Sequence, residues 1–306
     1  MADEIVASGS HFLAASVLLD REVGTLLSTY IPLRGSRALI DLSPMAAMGS
    51  LTLAIPLAGW EGLTMSAPGE ITGVSNSALT TAQKTLTIAR QVIQLQLSDE
   101  ILTGSLSSTA LMERVAMSVV TAYENRFNDM LCALFASVSS NVGTSGSDMT
   151  LDDYIDAQQT LMIADNTDET YAMLHGRQIG DLQNSLRGEG GALSFSQATA
   201  EMIALKGKGY VGRFLNTDIW LNPRVPTANA GADRKGCMWA RGAFGFAEAQ
   251  HPQQALRGSV NPELRNPVVV EFERSASSGT NTTVGAAFVG FVELEDARAV
   301  AITTDA

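Results

Sequence analysis

The sequence predicts an α+β fold, and three observations lead to that prediction. A helical apolar pattern of about 30 residues runs from 107 to 138, and strand-like alternation appears both before and after it. The two kinds of pattern follow no regular β-α-β order, which favours a mixed fold over a parallel sheet with crossover helices. The long helix is therefore expected to be the element around which the strands are arranged.

Residues 1–46 are predicted to form an N-terminal arm. An amphipathic helix is expected from 12 to 29, and Pro32 and Pro44 interrupt the pattern after it. The segment is too short for a domain and too apolar for a disordered tag. At this point a first helix that packs on its own core is an equally good interpretation.

Residues 47–97 are predicted to form an extended β-hairpin loop. Apolar and polar residues alternate over 51–57, and the alternation returns at Leu86 and slips by one residue between Val92 and Ile93, as a β-bulge would produce. About 25 weakly hydrophobic residues separate the two strands, which is uncommon inside a compact domain. The hairpin is therefore expected to pack against a neighbouring subunit.

The central helix is predicted over residues 107–138. Ser107 and Ser108 can cap its N-terminus, and Gly143 offers a stop beyond its C-terminus. Apolar residues recur there at steps of three and four: Met112, Val115, Ala116, Val119, Val120, Tyr123, Phe127, Met130, Leu131, Leu134 and Val138.

The remaining two thirds of the chain mix helices with strands. Helices are predicted over 151–164, 176–186 and 196–205, strands over 171–175, 210–221, 238–247 and 267–274, two more strands within 284–303, a loop over 224–236 and a polar turn over 275–283. In the first of these helices the residues expected to face inward are Leu151, Tyr154, Ile155, Leu161 and Met162.

Composition and charge exclude several functional classes. The net charge is −12, so the chain as a whole repels nucleic acid and a sequence-reading role is not expected. Asp3 and Glu4 stand where a signal peptide would be basic, and no apolar run reaches the ~20 residues that span a bilayer, so no membrane partner is expected. Cys132 and Cys237 match no metal or redox spacing and are expected to be reduced thiols.

No motif supports an active site, so the chain is not expected to be an enzyme. Residues 207–212 (GKGYVG) fit the dinucleotide-binding pattern, but a helix is predicted before them and a strand after them, the reverse of the order that pattern needs. Residues 165–169 lack the central glycine of a calcium loop, and the three histidines have no zinc spacing. No catalytic, cofactor-binding or metal-binding residue is therefore predicted, and no cofactor is expected.

Residues 84–88 (KTLTI) and 94–102 (QLQLSDEIL) place the second strand of the hairpin before a short turn that leads into the long helix. This order resembles the major capsid protein of tailed bacteriophages, with its Hong Kong 97-type fold, in which the second strand of the extended loop leads into a similar turn and then into a spine helix. Residues 209–226 and 292–300 are similar to the family's glycine-rich turn with its following strand, and to its closing strand pair.

The resemblance implies the domain organisation and the function. It implies a peripheral domain of residues 98–145 and 243–283 that contains the spine helix 107–138, and an axial domain of residues 146–242 and 284–306. The expected role is a structural capsid protein of the virion, which assembles in the host cytoplasm into hexamers and pentamers of an icosahedral head that encloses double-stranded DNA. Packaged DNA is expected to be contacted only non-specifically.

The resemblance also implies partners and leaves rivals open. Only about 46 residues precede the hairpin, so a separate scaffolding protein is expected, together with a portal and an optional decoration protein. Lys84 is the only lysine of the hairpin and lies away from its tip, so a shell without covalent crosslinks is expected. The alternatives are an encapsulin-type nanocompartment that encloses a cargo enzyme, an enzyme with a nucleotide site at 207–212, and a tail or baseplate component.

Overall fold

A long helix and two large sheets dominate the part of the chain that the computed structural model describes, which is residue 23 and residues 37–46, 51–58, 81–98, 108–164, 169–188, 196–206, 208–249, 267–275, 277 and 279–305. Some predicted features lie outside these ranges. They are the helix over 12–29 apart from residue 23, the segment 59–80 between the hairpin strands, the turn within 99–102, the capping residue Ser107, residues 165–168 of the calcium-loop candidate and Gly207 of the glycine motif.

The order of elements is α+β, as predicted. The helices are α1 (Ser43–Ala46), α2 (Ser108–Leu134), α3 (Leu151–Ile163), α4 (Gly176–Gly188) and α5 (Ala200–Lys206). The strands are β1 (Ile40–Asp41), β2 (Thr52–Ala58), β3 (Thr81–Thr87), β4 (Ala89–Ser98), β5 (Asn141–Val142), β6 (Thr170–Leu174), β7 (Ser196–Gln197), β8 (Tyr210–Phe214), β9 (Thr217–Leu221), β10 (Thr227–Ala228), β11 (Asp233–Ala240), β12 (Phe244–Ala249), β13 (Val268–Ser275), β14 (Thr280–Glu293) and β15 (Ala299–Asp305).

Helix α2 has 27 residues and is therefore about 40 Å long. It ends at Leu134 instead of residue 138, because the chain tightens there into a turn in which the Ser137 amide and hydroxyl both donate to the Leu134 carbonyl oxygen. The predicted apolar stripe is buried over the part whose side chains are described: Val115, Ala116, Val119, Val120, Tyr123, Phe127 and Leu131.

Strand β14 is the centre of a five-stranded sheet on which α2 packs. β14 pairs along one edge with β4 and along the other with β13 and β12, and β1 lies parallel to β12. Gly285 of β14 permits the close approach of the helix, because a Cβ atom there would lie 2.9 Å from methyl carbons of both Val119 and Ile93.

The hairpin strands β2 and β3 form a separate two-stranded sheet. Their paired residues run from Thr52 opposite Thr87 to Ala58 opposite Thr81. The sequence predicted one continuous second strand that runs past Leu86 and contains a bulge. This prediction was wrong, because the segment forms two strands. Strand β3 ends at Thr87, and after Ile88 the chain leaves the hairpin and joins β14 as β4.

The second large sheet has eight strands in the order β5-β15-β11-β6-β9-β8-β7, with β10 paired to β11. Helices α3 and α4 cover one face with a core that includes Tyr154, Leu182 and Ile302. The core on the other face includes Tyr171 and Trp239, and the C-terminal half of α2 contributes to it through Phe127 and Leu131.

Several predicted boundaries were wrong, and two predicted strands each contain a turn that was missed. The predicted strand 210–221 is a hairpin of β8 and β9, with Leu215 and Asn216 in the turn. The predicted strand 238–247 is also two strands, β11 and β12. Strand β11 starts at 233 inside the predicted loop, β14 starts at 280 inside the predicted turn, and α5 starts at 200, after the short strand β7.

The strands of the two sheets can be compared with the predicted domain boundaries. Residues 280–293 form one strand of the five-stranded sheet, so the predicted boundary between 283 and 284 falls inside β14. Residues 299–305 pair with β11 in the eight-stranded sheet. The assignment of these two sheets to peripheral and axial domains stays a prediction.

Candidate assembly surfaces

The described residues contain no group of three or more His, Cys, Asp and Glu side chains that could hold a metal ion. Of the helices in those ranges, none combines the length and hydropathy that crossing a bilayer requires. The thiols of Cys132 and Cys237 are both free and buried. Burial, assisted by the charge of Asp129, raises the pKa of Cys132 to about 12, and burial raises the pKa of Cys237 as well. Both thiols are therefore neutral and pack as small apolar groups.

The glycine motif at 207–212 is described from residue 208 onward. It has the predicted order, since α5 ends before it and β8 begins within it at Tyr210. Gly209 has φ of +89°, and its carbonyl oxygen accepts the Leu221 amide proton at 2.7 Å. A Cβ atom at Gly209 would lie 2.9 Å from the Leu221 carbonyl oxygen. This glycine therefore serves the tight junction between α5 and the β8–β9 hairpin.

Buried polar side chains hold the eight-stranded sheet to its surrounding loops. Gln178 of α4 is fully buried, and its amide nitrogen donates to Ile302 O at 3.1 Å and Thr304 Oγ1 at 2.9 Å. Its amide oxygen accepts the His175 backbone N–H at 3.0 Å. Every part of this side chain amide has a protein partner, which rigidifies the sheet that carries the surfaces described below.

Asp233, at the start of β11, is a second buried anchor. Its carboxylate accepts the hydroxyl of Ser145 at 2.6 Å, the amide of Asn229 and the backbone N–H of Gly146 at 2.9 Å. These donors, the Ser145 hydroxyl foremost, lower the pKa of Asp233 below its ordinary value. The charged carboxylate thus ties the loop at 145–146 to β11.

The base of the hairpin is held against the five-stranded sheet. Leu53 and Ile55 of β2 and Leu86 of β3 are buried in a core cluster that also contains Val292. A Cβ atom at Gly290 of β14 would lie 2.4 Å from a backbone oxygen, Thr87 O, so the hairpin and the sheet touch through backbone. One face of the described part of the hairpin is therefore fixed to its own subunit.

Lys84, the hairpin lysine that the sequence singled out, lies on β3. Its Nζ is 3.7 Å from the carboxylate of Glu293 at the end of β14, and its side chain remains 42% exposed. Because the pair is partly exposed, it contributes little stability, about 0–1 kcal/mol. Lys84 therefore lies on the base of the hairpin and faces its own subunit. The absence of covalent crosslinks stays a prediction.

Two helix ends expose large apolar side chains that the sequence analysis did not single out as surface. Ile163 at the end of α3 is 85% exposed and Met162 is 57% exposed, so the predicted inward position of Met162 was wrong. On α5, Leu205 is 85% exposed, and Met202 and Ile203 are exposed as well. A signal was present, since both helices have more apolar residues than one buried face can hold.

A cavity of about 440 Å³ lies beside the exposed face of α5. Met202 and Leu205 contribute from α5, Leu215 and Asn216 from the β8–β9 turn, and the remaining lining residues are Ser196, Lys206, Tyr210 and Arg213. The charged side chains among them, Lys206 and Arg213, are both cations. Their positions are fixed by Asp218, which contacts Lys206, and by Glu169, which is 3.6 Å from Arg213.

Solved shell proteins are similar to this chain along most of its length. The capsid of Ralstonia phage GP4 matches with a TM-score of 0.61 at 11% identity, covering 88% of this chain and 87% of that one. A cyanophage Pam1 capsid matches with a TM-score of 0.58 at 12% sequence identity, covering 89% of this chain and 90% of that one. The holo-SrpI encapsulin complex from Synechococcus elongatus matches with a TM-score of 0.61 at 10% sequence identity, covering 88% of this chain and 85% of that one.

These likenesses show the fold. No protein-family model matches the sequence, and no curated protein matches it either. The chain has the Hong Kong 97-type fold, which confirms the predicted fold class and the predicted resemblance to phage capsid proteins. The same fold is present in the encapsulin, so fold alone does not separate the two kinds of shell.

Proposed function

We propose that this chain is a structural shell protein, the major capsid protein of a tailed-phage head. It self-assembles into hexamers and pentamers of an icosahedral capsid that encloses double-stranded DNA. The observation that carries the proposal is the fold match to phage capsids over nearly nine tenths of both chains, which leaves little of this chain for a separate activity. The protein is then a non-enzymatic component of the virion, assembled in the host cytoplasm.

The surface properties support assembly. Only 17% of the residues are charged, and apolar side chains are exposed on α3, α5 and the β8–β9 turn. Clustered exposed apolar side chains are typical of interaction sites. The net charge of −12 suits an inner wall along which packaged DNA slides without being bound.

The expected partners follow from the capsid proposal. They are other copies of this chain, a separate scaffolding protein, a portal and an optional decoration protein. The shell is held by non-covalent contacts, because Lys84 is the hairpin's only lysine and lies on its base.

An encapsulin-type nanocompartment is the second candidate. It is favoured by a specific observation, the TM-score of 0.61 to the holo-SrpI encapsulin complex, which equals the score to the phage GP4 capsid. In that case the shell would enclose a cargo enzyme instead of DNA.

The test has two stages. Purified protein, with and without its scaffolding protein, is analysed by size-exclusion chromatography with light scattering. Assemblies of capsomer size or larger support a shell protein, and a uniform monomer or small oligomer under both conditions contradicts it. The contents of native particles then separate the candidates, since nuclease-protected double-stranded DNA supports the phage head and a co-purifying enzyme supports the nanocompartment.

A further inference from the structure

Strand β4 has an edge that no other strand of the described ranges covers. It pairs with β14 along one side over its whole length, and no strand of those ranges is paired with it along the other side. The strand has ten residues, which is long for an edge strand. An unpaired edge presents backbone N–H and C=O groups with which a further extended chain can pair.

This edge lacks the features by which proteins usually protect a free strand. Those features are proline, lysine, bulges and short length. Residues 91–98 (QVIQLQLS) contain no proline and no charged residue, and the pairing of β4 with β14 contains no bulge. The edge is therefore open to the addition of a strand from another chain.

Both faces of β4 have apolar surface that an added strand would cover. Ile93, Leu95 and Leu97 pack against the core that α2 shares, but they are only partly buried. On the opposite face of the strand, Val92 is 53% exposed. The side chains of an added strand stand beside those of β4 on both faces, so apolar residues in it would complete the burial of this surface.

Two cations lie at the N-terminal end of β4. Arg90 of β4 and Arg126 of α2 are both exposed, and Arg126 Nε donates to the side-chain oxygen of Gln91 at 2.9 Å. None of the ion pairs among the described residues includes either arginine. Strand β4 has no acidic residue, so a second copy that paired through the same strand would bring these arginines no carboxylate. The charges instead favour a partner segment that is acidic at one end.

We propose that the free edge of β4 binds an extended segment of a partner protein by strand addition. The segment is uncharged over most of its length, has alternating apolar residues, and is acidic where it passes Arg90 and Arg126. Backbone hydrogen bonds hold the segment, and the two guanidinium groups determine which of its ends lies at the start of β4. This property belongs to the subunit and does not depend on whether the subunit builds a shell.

A synthetic peptide tests strand addition. The peptide has ten residues to match β4, with two aspartates followed by alternating valine and threonine. Hydrogen–deuterium exchange with mass spectrometry is expected to show slower exchange of the amides of residues 89–98 when the peptide is bound. The same peptide with N-methyl groups on its valines and threonines cannot donate those backbone hydrogen bonds and is expected not to bind. Unchanged exchange over 89–98, or equal binding of the methylated peptide, would overturn the proposal.

The arginines test the expected charge of the partner. In fluorescence anisotropy with the labelled peptide, Arg90→Gln and Arg126→Gln are each expected to weaken binding by about two- to fivefold, the effect of one exposed ion pair. A peptide with asparagines in place of the aspartates is expected to bind the double variant as well as the aspartate peptide does. Arg187→Gln removes an exposed arginine from α4 and is expected to leave binding unchanged. An equal loss for Arg187→Gln and Arg90→Gln would contradict the role of the β4 cations.

Two further outcomes separate this inference from its rivals. Slow exchange over 89–98 in the protein alone, increasing with protein concentration, would show that a second copy covers the edge and would overturn the proposal. Peptide binding by a protein that forms no shells or rings would contradict the shell function and leave this inference standing.

Discussion

Phe127, in the C-terminal half of α2, joins the helix to the five-stranded sheet. Its side chain is fully buried, and its ring centroid lies 5.5 Å from that of Phe246 on β12 and 4.7 Å from that of Phe291 on β14, both in edge-to-face geometry. Phe127→Ala removes both contacts and leaves a cavity between helix and sheet. If the helix is anchored through this cluster, this substitution is among the most destabilising single truncations in the chain.

The magnitude follows from burial and ring geometry. Truncating a buried phenylalanine to alanine lowers the free energy of unfolding by about 3–5 kcal/mol. Phe127 also loses two aromatic pairs of about 0.5–1.5 kcal/mol each, so we expect a loss of about 4 kcal/mol for Phe127→Ala. Phe127→Leu keeps most of the volume and is expected to lose about 1 kcal/mol. Urea denaturation at several protein concentrations measures the difference without a contribution from association.

Met117, on the exposed side of the same helix, provides the control. Met117→Ala is expected to change the free energy of unfolding by less than about 0.5 kcal/mol. A loss below about 1 kcal/mol for Phe127→Ala, or an equal loss for Met117→Ala, would refute the anchoring role of the aromatic cluster.

Three other predictions follow from single contacts. Gly290→Ala places a Cβ atom 2.4 Å from Thr87 O and is expected to destabilise the subunit by about 1–3 kcal/mol in urea denaturation. Hydrogen bonds, the one from Ser145 foremost, lower the pKa of Asp233 in the folded protein. The stability that they provide is therefore present above about pH 4 and is lost as the pH falls through the folded-state pKa. Asp233→Asn is expected to lower the melting temperature at pH 7 and to make that temperature decline less steeply in acid. Intact particles boiled in detergent are expected to run as a single monomer band, because Lys84 lies on the hairpin base, and a covalent ladder would contradict this.

Two of these predictions have controls within the chain. Gly180, in α4, has open space where a Cβ would stand, so Gly180→Ala is expected to stabilise by about 0.5–1 kcal/mol, and a loss equal to that of Gly290→Ala would show that steric contact is not the cause. Asp152→Asn removes an exposed carboxylate and is expected to leave the melting temperature at pH 7 almost unchanged. An unaltered pH profile for Asp233→Asn would contradict the role given to the Ser145 and Gly146 hydrogen bonds.

The elements that the sequence predicted well are those whose pattern is local. The stripe on α2 could be predicted because burial against one sheet requires apolar residues at helical spacing, and Val115 through Leu131 have it. The end of α2 at Leu134 was missed because the apolar pattern continues to Val138, which is buried in a different conformation. The burial of a side chain does not show whether its backbone is helical.

Sheet partners could not be predicted from local pattern. The slip in alternation between Val92 and Ile93 does not mark a bulge, because β4 pairs with β14 in unbroken register through both residues. The chain changes partner earlier, between Thr87 and Ala89, where it passes from β2 to β14, and this change depends on residues almost 200 positions away. The β8–β9 turn was missed because Leu215 and Asn216 adopt left-handed conformations without a glycine. The apolar surfaces at Ile163 and Leu205 were missed because an apolar residue on a helix is ordinarily assigned to the core of its own subunit.

Negative-stain microscopy of the purified, overexpressed protein, with and without its scaffolding protein, tests the central proposal most directly. Closed polyhedral shells tens of nanometres across, or capsomer-sized rings that close when the scaffold is added, are the expected result. A uniform small particle under both conditions would contradict the assignment of this chain as a shell protein.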